Sequence, residues 1–282
     1  KTGTLTQGEM TVGRVVVASG EVTVTGVGYQ PDGRVEVDGA PLEPGSALWT
    51  ETALVLGGGS LANDAQLVET DGTWAIHGDP TEAAFMVAEV KLGTRELRTG
   101  RFSRVGVLPF TSERRMMSSL EVDAERQGRL AVATKGAPEV VLARCSHERV
   151  GDAVVPLDEA RRARVRADVE RLSAEAFRTL GVAYRPLDVT EVPAVDEHLE
   201  RELVYAGTVG ILDPARPEAA AAIAQAHRAG IRVLMITGDH PLTAARIARD
   251  LGIRDSAPVA VTGLELDALD EEDFRATVRE RS

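Results

Sequence analysis

From Gly207 to Leu251 the chain alternates apolar runs with amphipathic stretches in an order that leaves few folds open. Gly207 to Leu212 reads as an apolar strand, Pro217 to Ala229 as a helix ended by Gly230, Ile231 to Ile236 as a continuous apolar strand, and Pro241 to Leu251 as a second helix. A strand without polar alternation has both faces covered, and strands separated by helices pair in parallel. The βαβα pattern therefore predicts a parallel sheet between helical layers. Thr237-Gly238-Asp239 falls at the C-terminal end of its strand, where open α/β sheets place their ligands.

The stretch from Thr11 to Tyr205 follows another pattern. Thr11 to Ala18 is β-branched, and Glu21 to Val37 alternates around the turn signal Pro31-Asp32-Gly33, which reads as strands and hairpins. Gly45 to Leu56 is expected to be a helix stopped by Gly57-Gly58-Gly59. Asp79-Pro80 opens a second helix with a capping residue and a proline, and Gly93 closes it. Arg104 to Leu108, Met116 to Val122 and Arg129 to Thr134 are predicted strands of one antiparallel sheet. Asp158 to Leu180 is a predicted surface helix, with a strand returning over Leu180 to Tyr184. The expected fold class is α/β with an inserted, mainly antiparallel sheet-and-helix domain. The expected boundaries are 1–10, 11–209 and 210–282.

At 282 residues, 43% of them hydrophobic, the chain is long enough for two domains with their own cores. A net charge of −12 repels phosphate backbones, so nucleic acid is excluded as a natural partner and a phosphorylated ligand must find a locally basic pocket. No run approaches the roughly 18 apolar residues of a membrane helix, so this stretch is expected to be soluble. Cys145, the single cysteine, excludes an internal disulfide and reads as a buried apolar filler.

Chemistry concentrates in short segments. Lys1-Thr2-Gly3-Thr4 is a polar turn that alone reads as a linker, while Thr237 offers a hydroxyl beside Gly238, whose missing Cβ lets an oxyanion approach the backbone. Asp239 can equally cap the helix from Pro241. In Leu212-Asp213-Pro214-Ala215-Arg216, Asp213 can cap a helix or contact a ligand, and Arg216 carries donors suited to phosphate. Lys135-Gly136-Ala137-Pro138-Glu139 ends a strand with a lysine and a small turn, in a chain with three lysines against 29 arginines. Phe110-Thr111-Ser112-Glu113-Arg114-Arg115 joins an aromatic, fit for the core or for a base, to two guanidinium groups. Gly78-Asp79-Pro80-Thr81-Glu82 combines a cap with a carboxylate. Arg178, in Phe177-Arg178-Thr179-Leu180, is either a solvated helix-end cation or a phosphate ligand.

Taken together and in this order, these segments resemble the cytosolic machinery of the P-type cation-transporting ATPases. That family writes its split phosphorylation site as Asp-Lys-Thr-Gly-Thr followed much later by Thr-Gly-Asp. The resemblance implies a partial haloacid-dehalogenase-like, Rossmannoid phosphorylation domain with a nucleotide-binding domain inserted in it, using ATP and Mg²⁺. It assigns the Thr2 carbonyl to Mg²⁺, Thr237 and Gly238 to the transferred phosphoryl group, and Asp239 to the vicinity of the nucleotide. Glu82 would lie beside the adenine amino group, Phe110 against adenine, and Lys135 and Gly136 in the ATP pocket. Arg115 and Arg178 would reach phosphates, and Asp213 and Arg216 the ribose and phosphates; Ala215 replaces a proline of the family's Asp-Pro-Pro-Arg. Thr237 to Ala244 is similar to the calcium and sodium/potassium branch, and the composition suits a bacterial gene.

By the same resemblance, the nucleophilic Asp would precede Lys1 and a Gly-Asp-Gly-Val-Asn-Asp segment would follow Ser282. The expectation is thus part of a calcium-type pump on the cytoplasmic face of the cell membrane, inactive alone. Its partners would be ATP, the transmembrane domain, whose helices would hold the transported cation, and the actuator domain. Two other functions fit some of the residues. A soluble haloacid-dehalogenase-like phosphatase with a large cap would share Thr237, but its cap would have no use for Phe110, Lys135 and Glu82. A purely nucleotide-binding module would need no phosphorylation chemistry.

Overall fold

The computed structural model describes residues 4–237, 241–253, 261 and 263–280. It divides into a larger unit, Met10–Ser173 with Arg178–Leu212, and a smaller one, Lys1–Glu9 with Ala174–Phe177 and Asp213–Ser282. The larger unit begins with β1 (Thr11–Val17), β2 (Gly20–Val24), β3 (Val35–Val37), β4 (Ala40–Pro41), α1 (Ala47–Leu61), β5 (Gln66–Thr70), β6 (Thr73–His77), α2 (Pro80–Leu92) and α3 (Arg95–Arg101). It continues with β7 (Phe102–Leu108), β8 (Met116–Asp123), β9 (Arg129–Gly136), α4 (Pro138–Arg144), β10 (Cys145–Val150), β11 (Ala153–Pro156), α5 (Glu159–Ala174), β12 (Arg178–Pro186) and β13 (Leu203–Leu212).

Eleven strands make one sheet, ordered β4-β3-β2-β1-β13-β12-β9-β8-β7, with β10 beside β13 and β11 beside β10. Only β10 runs parallel to its neighbour β13 among the described pairings. The expected strands around Arg104, Met116 and Arg129 are β7, β8 and β9, paired antiparallel as expected.

The strand expected at Gly207 to Leu212 lies elsewhere than its sequence suggested. It is the second half of β13, antiparallel to both β1 and β12, and belongs to the larger unit rather than to a βαβα sheet. Its lack of alternation does report two covered faces, but in an antiparallel sheet rather than a parallel one. Helices cover both faces of this antiparallel sheet, so β13 is buried on both sides. On one face Val55, Leu56, Ala84 and Phe85 from α1 and α2 pack with Val182, Val209 and Ile211. On the other, Val141, Leu142 and Val165 from α4 and α5 pack with Ala183, Leu203 and Tyr205. A bulge at Ala206, where Val182 opposes Gly207 and Ala183 opposes Tyr205, shifts the phase between the two halves of the strand.

Helix α1 also departs from expectation, running through Gly57-Gly58-Gly59 to Leu61. A Cβ on Gly59 would lie 2.2 Å from the Phe85 ring, and one on Gly58 would lie 3.1 Å from Val182, so these glycines allow close approach rather than ending the helix. Helix α2 matches its signals: Asp79 caps it, Pro80 starts it, and Gly93 closes it at φ 78°. Helix α5 stops at Ala174, short of Leu180, and Ala176 turns into the left-handed region at φ 63°.

The smaller unit holds α6 (Pro217–Arg228), α7 (Pro241–Asp250), α8 (Gly263–Asp267) and α9 (Glu271–Glu280). Ile223, Ile247 and Leu251 form its core with Leu5, Val233 and Met235. The strand expected at Ile231 to Ile236 is not formed. The segment has no ladder partner among the described residues, and Ile236 is 89% exposed. An extended apolar run becomes a strand only when a neighbour takes its backbone hydrogen bonds. No helix among the described residues is long and apolar enough to cross a membrane.

Candidate functional site

Asp79 fixes the first turn of α2, accepting from the backbone N–H of Thr81 at 2.7 Å and of Glu82 at 3.3 Å. Glu82 thereby faces the end of β9, where its Oε1 lies 3.0 Å from Lys135 Nζ. Its Oε2 accepts from Asp64 N at 3.1 Å, and Asn63 Nδ2 donates to its backbone carbonyl at 2.8 Å. Lys135 also donates to the Gly59 carbonyl at 3.3 Å and stands 5.3 Å from the centre of the Phe85 ring. The lysine is only 5% exposed. Burial lowers its pKa from the ordinary lysine value, and the Glu82 carboxylate opposes that shift.

The loop before β8 closes over the same end of the sheet. Arg115 takes a left-handed φ of 52°, donates its N–H to the Thr111 carbonyl at 2.8 Å, and accepts the Ala137 N–H at 2.9 Å. A Cβ on Gly136 would lie 2.5 Å from the Arg115 carbonyl oxygen, so the contact between loop and turn requires glycine there. The Arg115 guanidinium meets Glu139 at 2.9 Å with both side chains largely exposed, a pairing worth little and easily exchanged. Phe110 is 57% exposed and takes no part in the core. Arg178 is the first residue of β12, not a helix-end cation, and donates to Thr81 Oγ1 at 3.3 Å. Contacts thus connect Arg115 with Gly136, Lys135 with Glu82, and Thr81 beside Glu82 with Arg178.

In the smaller unit Asp213 caps no helix. It accepts from Thr6 Oγ1 at 2.6 Å and from Gly8 N at 2.9 Å, while Arg216 occupies the cap position of α6 without a side-chain cap bond. Arg216 Nε donates to the Thr6 carbonyl at 2.9 Å, and the backbones pair from Gln7 N to Pro214 O and from Arg216 N to Leu5 O. Asp213 and Arg216 hold two chain segments side by side. Thr237 ends the described segment 231–237 and is partly buried. Thr2, Gly238 and Asp239 lie outside the described residues, and with them the expected Mg²⁺ contact and most of the phosphoryl site. Among the described residues no group of three or more His, Cys, Asp or Glu side chains could hold a metal ion.

Sequence reading missed Gly59, Asn63 and Thr81 at this site. Gly59 had left a signal, since three glycines inside an apolar helix imply close packing. Thr81 stood inside the Gly78–Glu82 segment without a role of its own, and Asn63 left no signal.

The family model described as P-type ATPase, cytoplasmic domain N, matches residues 51–218, more than half of the chain, and the chain belongs to this family. It is 34% identical over 281 residues to a calcium-transporting ATPase of Bacillus subtilis, covering 99% of this chain and 31% of that protein. It is 36% identical over 279 residues to a calcium-transporting ATPase of Listeria monocytogenes, covering 97% of this chain and 29% of that one. Identity to a cation-transporting ATPase of Synechocystis is 34% over 261 residues, 90% of this chain and 28% of the other. The chain spans about three tenths of the length of these relatives.

Proposed function

We propose that the larger unit binds the ATP of a cation pump that forms an aspartyl phosphate, with adenine against Phe110 and phosphates toward Lys135, Arg115 and Arg178. The observation that carries this reading is the buried Lys135–Glu82 pair at the mouth of a turn that only glycine can form. A buried ammonium beside a close-approach turn suits an anionic ligand, because a phosphate can replace the carboxylate without stranding the charge. The exposed Phe110 ring suits a base, which needs a free π face. Glu82, relieved of Lys135, retains an acceptor for the adenine amino group.

In the same reading the smaller unit is part of a haloacid-dehalogenase-like phosphorylation domain, with Thr2, Thr237 and Gly238 toward the phosphoryl group and Asp239 near the nucleotide. Asp213 and Arg216 keep its chain segments in register, with ribose and phosphate contacts as their further role. Mg²⁺, when bound with ATP, neutralises charge on the transferring phosphate. The transported ion is calcium, a choice supported by the names of the Bacillus and Listeria proteins. The remaining partners are the transmembrane and actuator domains of the pump, with this part on the cytoplasmic face of the membrane.

Calorimetric titration with ATP tests the pocket. Saturable binding that weakens in both Lys135→Ala and Phe110→Ala supports it, and unchanged affinity in both removes it.

A further inference from the structure

Arg114, which the nucleotide reading does not use, is held by a residue far along the chain. Glu200 is fully buried at the end of the short 3₁₀ turn Glu197–Leu199, and its Oε1 accepts both from Arg114 Nη2 and, at 2.6 Å, from Ser118 Oγ. Ser118 Oγ in turn lies 2.8 Å from Thr134 Oγ1, in the strand pair that carries Lys135. The other end of the guanidinium donates from Nη1 to the Pro109 carbonyl at 2.8 Å, immediately before Phe110. The Arg114 backbone N–H is taken by Thr111 Oγ1 at 3.2 Å. One carboxylate oxygen thus connects the base of the Phe110–Arg115 loop to the strands carrying Lys135. The second oxygen, Oε2, is buried without a hydrogen-bond partner in the protein.

We infer that Glu200 is a positioning residue for nucleotide binding, acting through Arg114 to hold the Phe110 loop in its binding geometry; this rests on the nucleotide reading above. A loop tip whose main aromatic contributes nothing to the core has no packing to hold it, so its conformation depends on its hydrogen bonds. The charged pair supplies the strongest of them. Because both donors converge on Oε1, Glu200→Gln preserves shape and one acceptor but removes the charge that holds Arg114.

The test uses the full 282-residue chain with its five phenylalanines replaced by 4-fluorophenylalanine, which gives one ¹⁹F signal each for Phe85, Phe102, Phe110, Phe177 and Phe274. In Glu200→Gln without nucleotide, the Phe110 signal is expected to shift or broaden while that of the buried Phe85 stays in place. The ATP dissociation constant should rise about fivefold, as when one hydrogen bond no longer restricts a site to its competent state. Arg114→Gln should reproduce both effects. The double variant should add nothing to either, since the two changes break one connection.

An unchanged Phe110 signal, or an unchanged dissociation constant despite a shifted one, overturns the positioning role. So does displacement of all five signals, which marks a general loss of structure. If ATP moves no signal in the unsubstituted chain, the nucleotide reading falls first. A response to ATP that persists unchanged in Glu200→Gln overturns the role of Glu200 alone.

Discussion

Lys135 Nζ sits 3.0 Å from Glu82 Oε1 and over the ring of Phe85, so two residues expected to face a nucleotide neutralise each other across α2 and β9. Any anion reaching the lysine must compete with a carboxylate already in place. The strength of that pair can be measured directly. Glu82→Gln leaves a buried ammonium with a carbonyl as its main acceptor and should lower stability by roughly 1–3 kcal/mol. Lys135→Met should cost less, because Glu82 keeps the Asp64 N–H and its side chain is 15% exposed. Urea denaturation of both variants checks the asymmetry, and equal losses would show that the lysine contributes by packing rather than by charge.

Phe110→Ala separates binding from stability. The ring is mostly exposed, so the urea midpoint should barely move, with a change within about 0.5 kcal/mol. Stacking on an aromatic contributes roughly 1–3 kcal/mol in single-stranded nucleic acid sites, so ATP affinity should fall at least about fivefold. A large stability loss together with unchanged affinity would return Phe110 to a structural role.

Gly59→Ala should destabilise the larger unit although alanine is the better helix former. Propensity favours the change by about 1 kcal/mol, whereas a Cβ placed 2.2 Å from the buried Phe85 ring forces a shift costing about 1–3 kcal/mol. The Lys135 contact with the Gly59 carbonyl should loosen with it. Thermal melts decide the sign, and a raised Tm would show that α1 can move away from α2 at little cost.

Lys91 provides a pH-dependent signal away from the nucleotide site. Burial lowers its pKa to about 8, opposed by Asp32, while Nζ donates to the carbonyls of Thr25 and Gly26 at 2.9 and 3.0 Å, bonds that a neutral amine retains. Since the folded value lies below the ordinary 10.5, the unfolded chain binds the proton more tightly. Stability linked to this group therefore rises with pH between about 8 and 10.5 and is flat below that window. Urea midpoints from pH 7 to 10 should climb more steeply in the unsubstituted chain than in Lys91→Met. An amine probe should label Lys91 increasingly through pH 8 with no protection by ATP, in contrast to Lys135. Parallel pH profiles for the two chains would refute the assignment.

The segments bearing site chemistry were legible because each is short and locally encoded. Asp79-Pro80 dictates a helix start wherever it lies, and that start is what aims Glu82. Gly136 is needed because backbone passes within contact distance, a constraint expressed by a single residue type. The strands β7 to β9 were also located from the sequence, as three short segments of one antiparallel sheet.

The pairing of β13 was not readable. A run such as Leu203 to Leu212 states that both faces are covered but not which strands lie beside it, and the antiparallel β1 and β12 satisfy it as well as parallel neighbours would. The end of α5 was missed for a related reason: the chain turns at the left-handed Ala176, and nothing in the segment is one of the usual stop residues. The local geometry of the segments proposed for the site, the helix start at Asp79 and the turn at Gly136, was thus written in the sequence. The partners of the charged groups, Glu82 for Lys135, Thr6 for Asp213 and Glu200 for Arg114, were decided only by the tertiary structure, because burial removes water and obliges each polar group to find whatever partner the fold brings near.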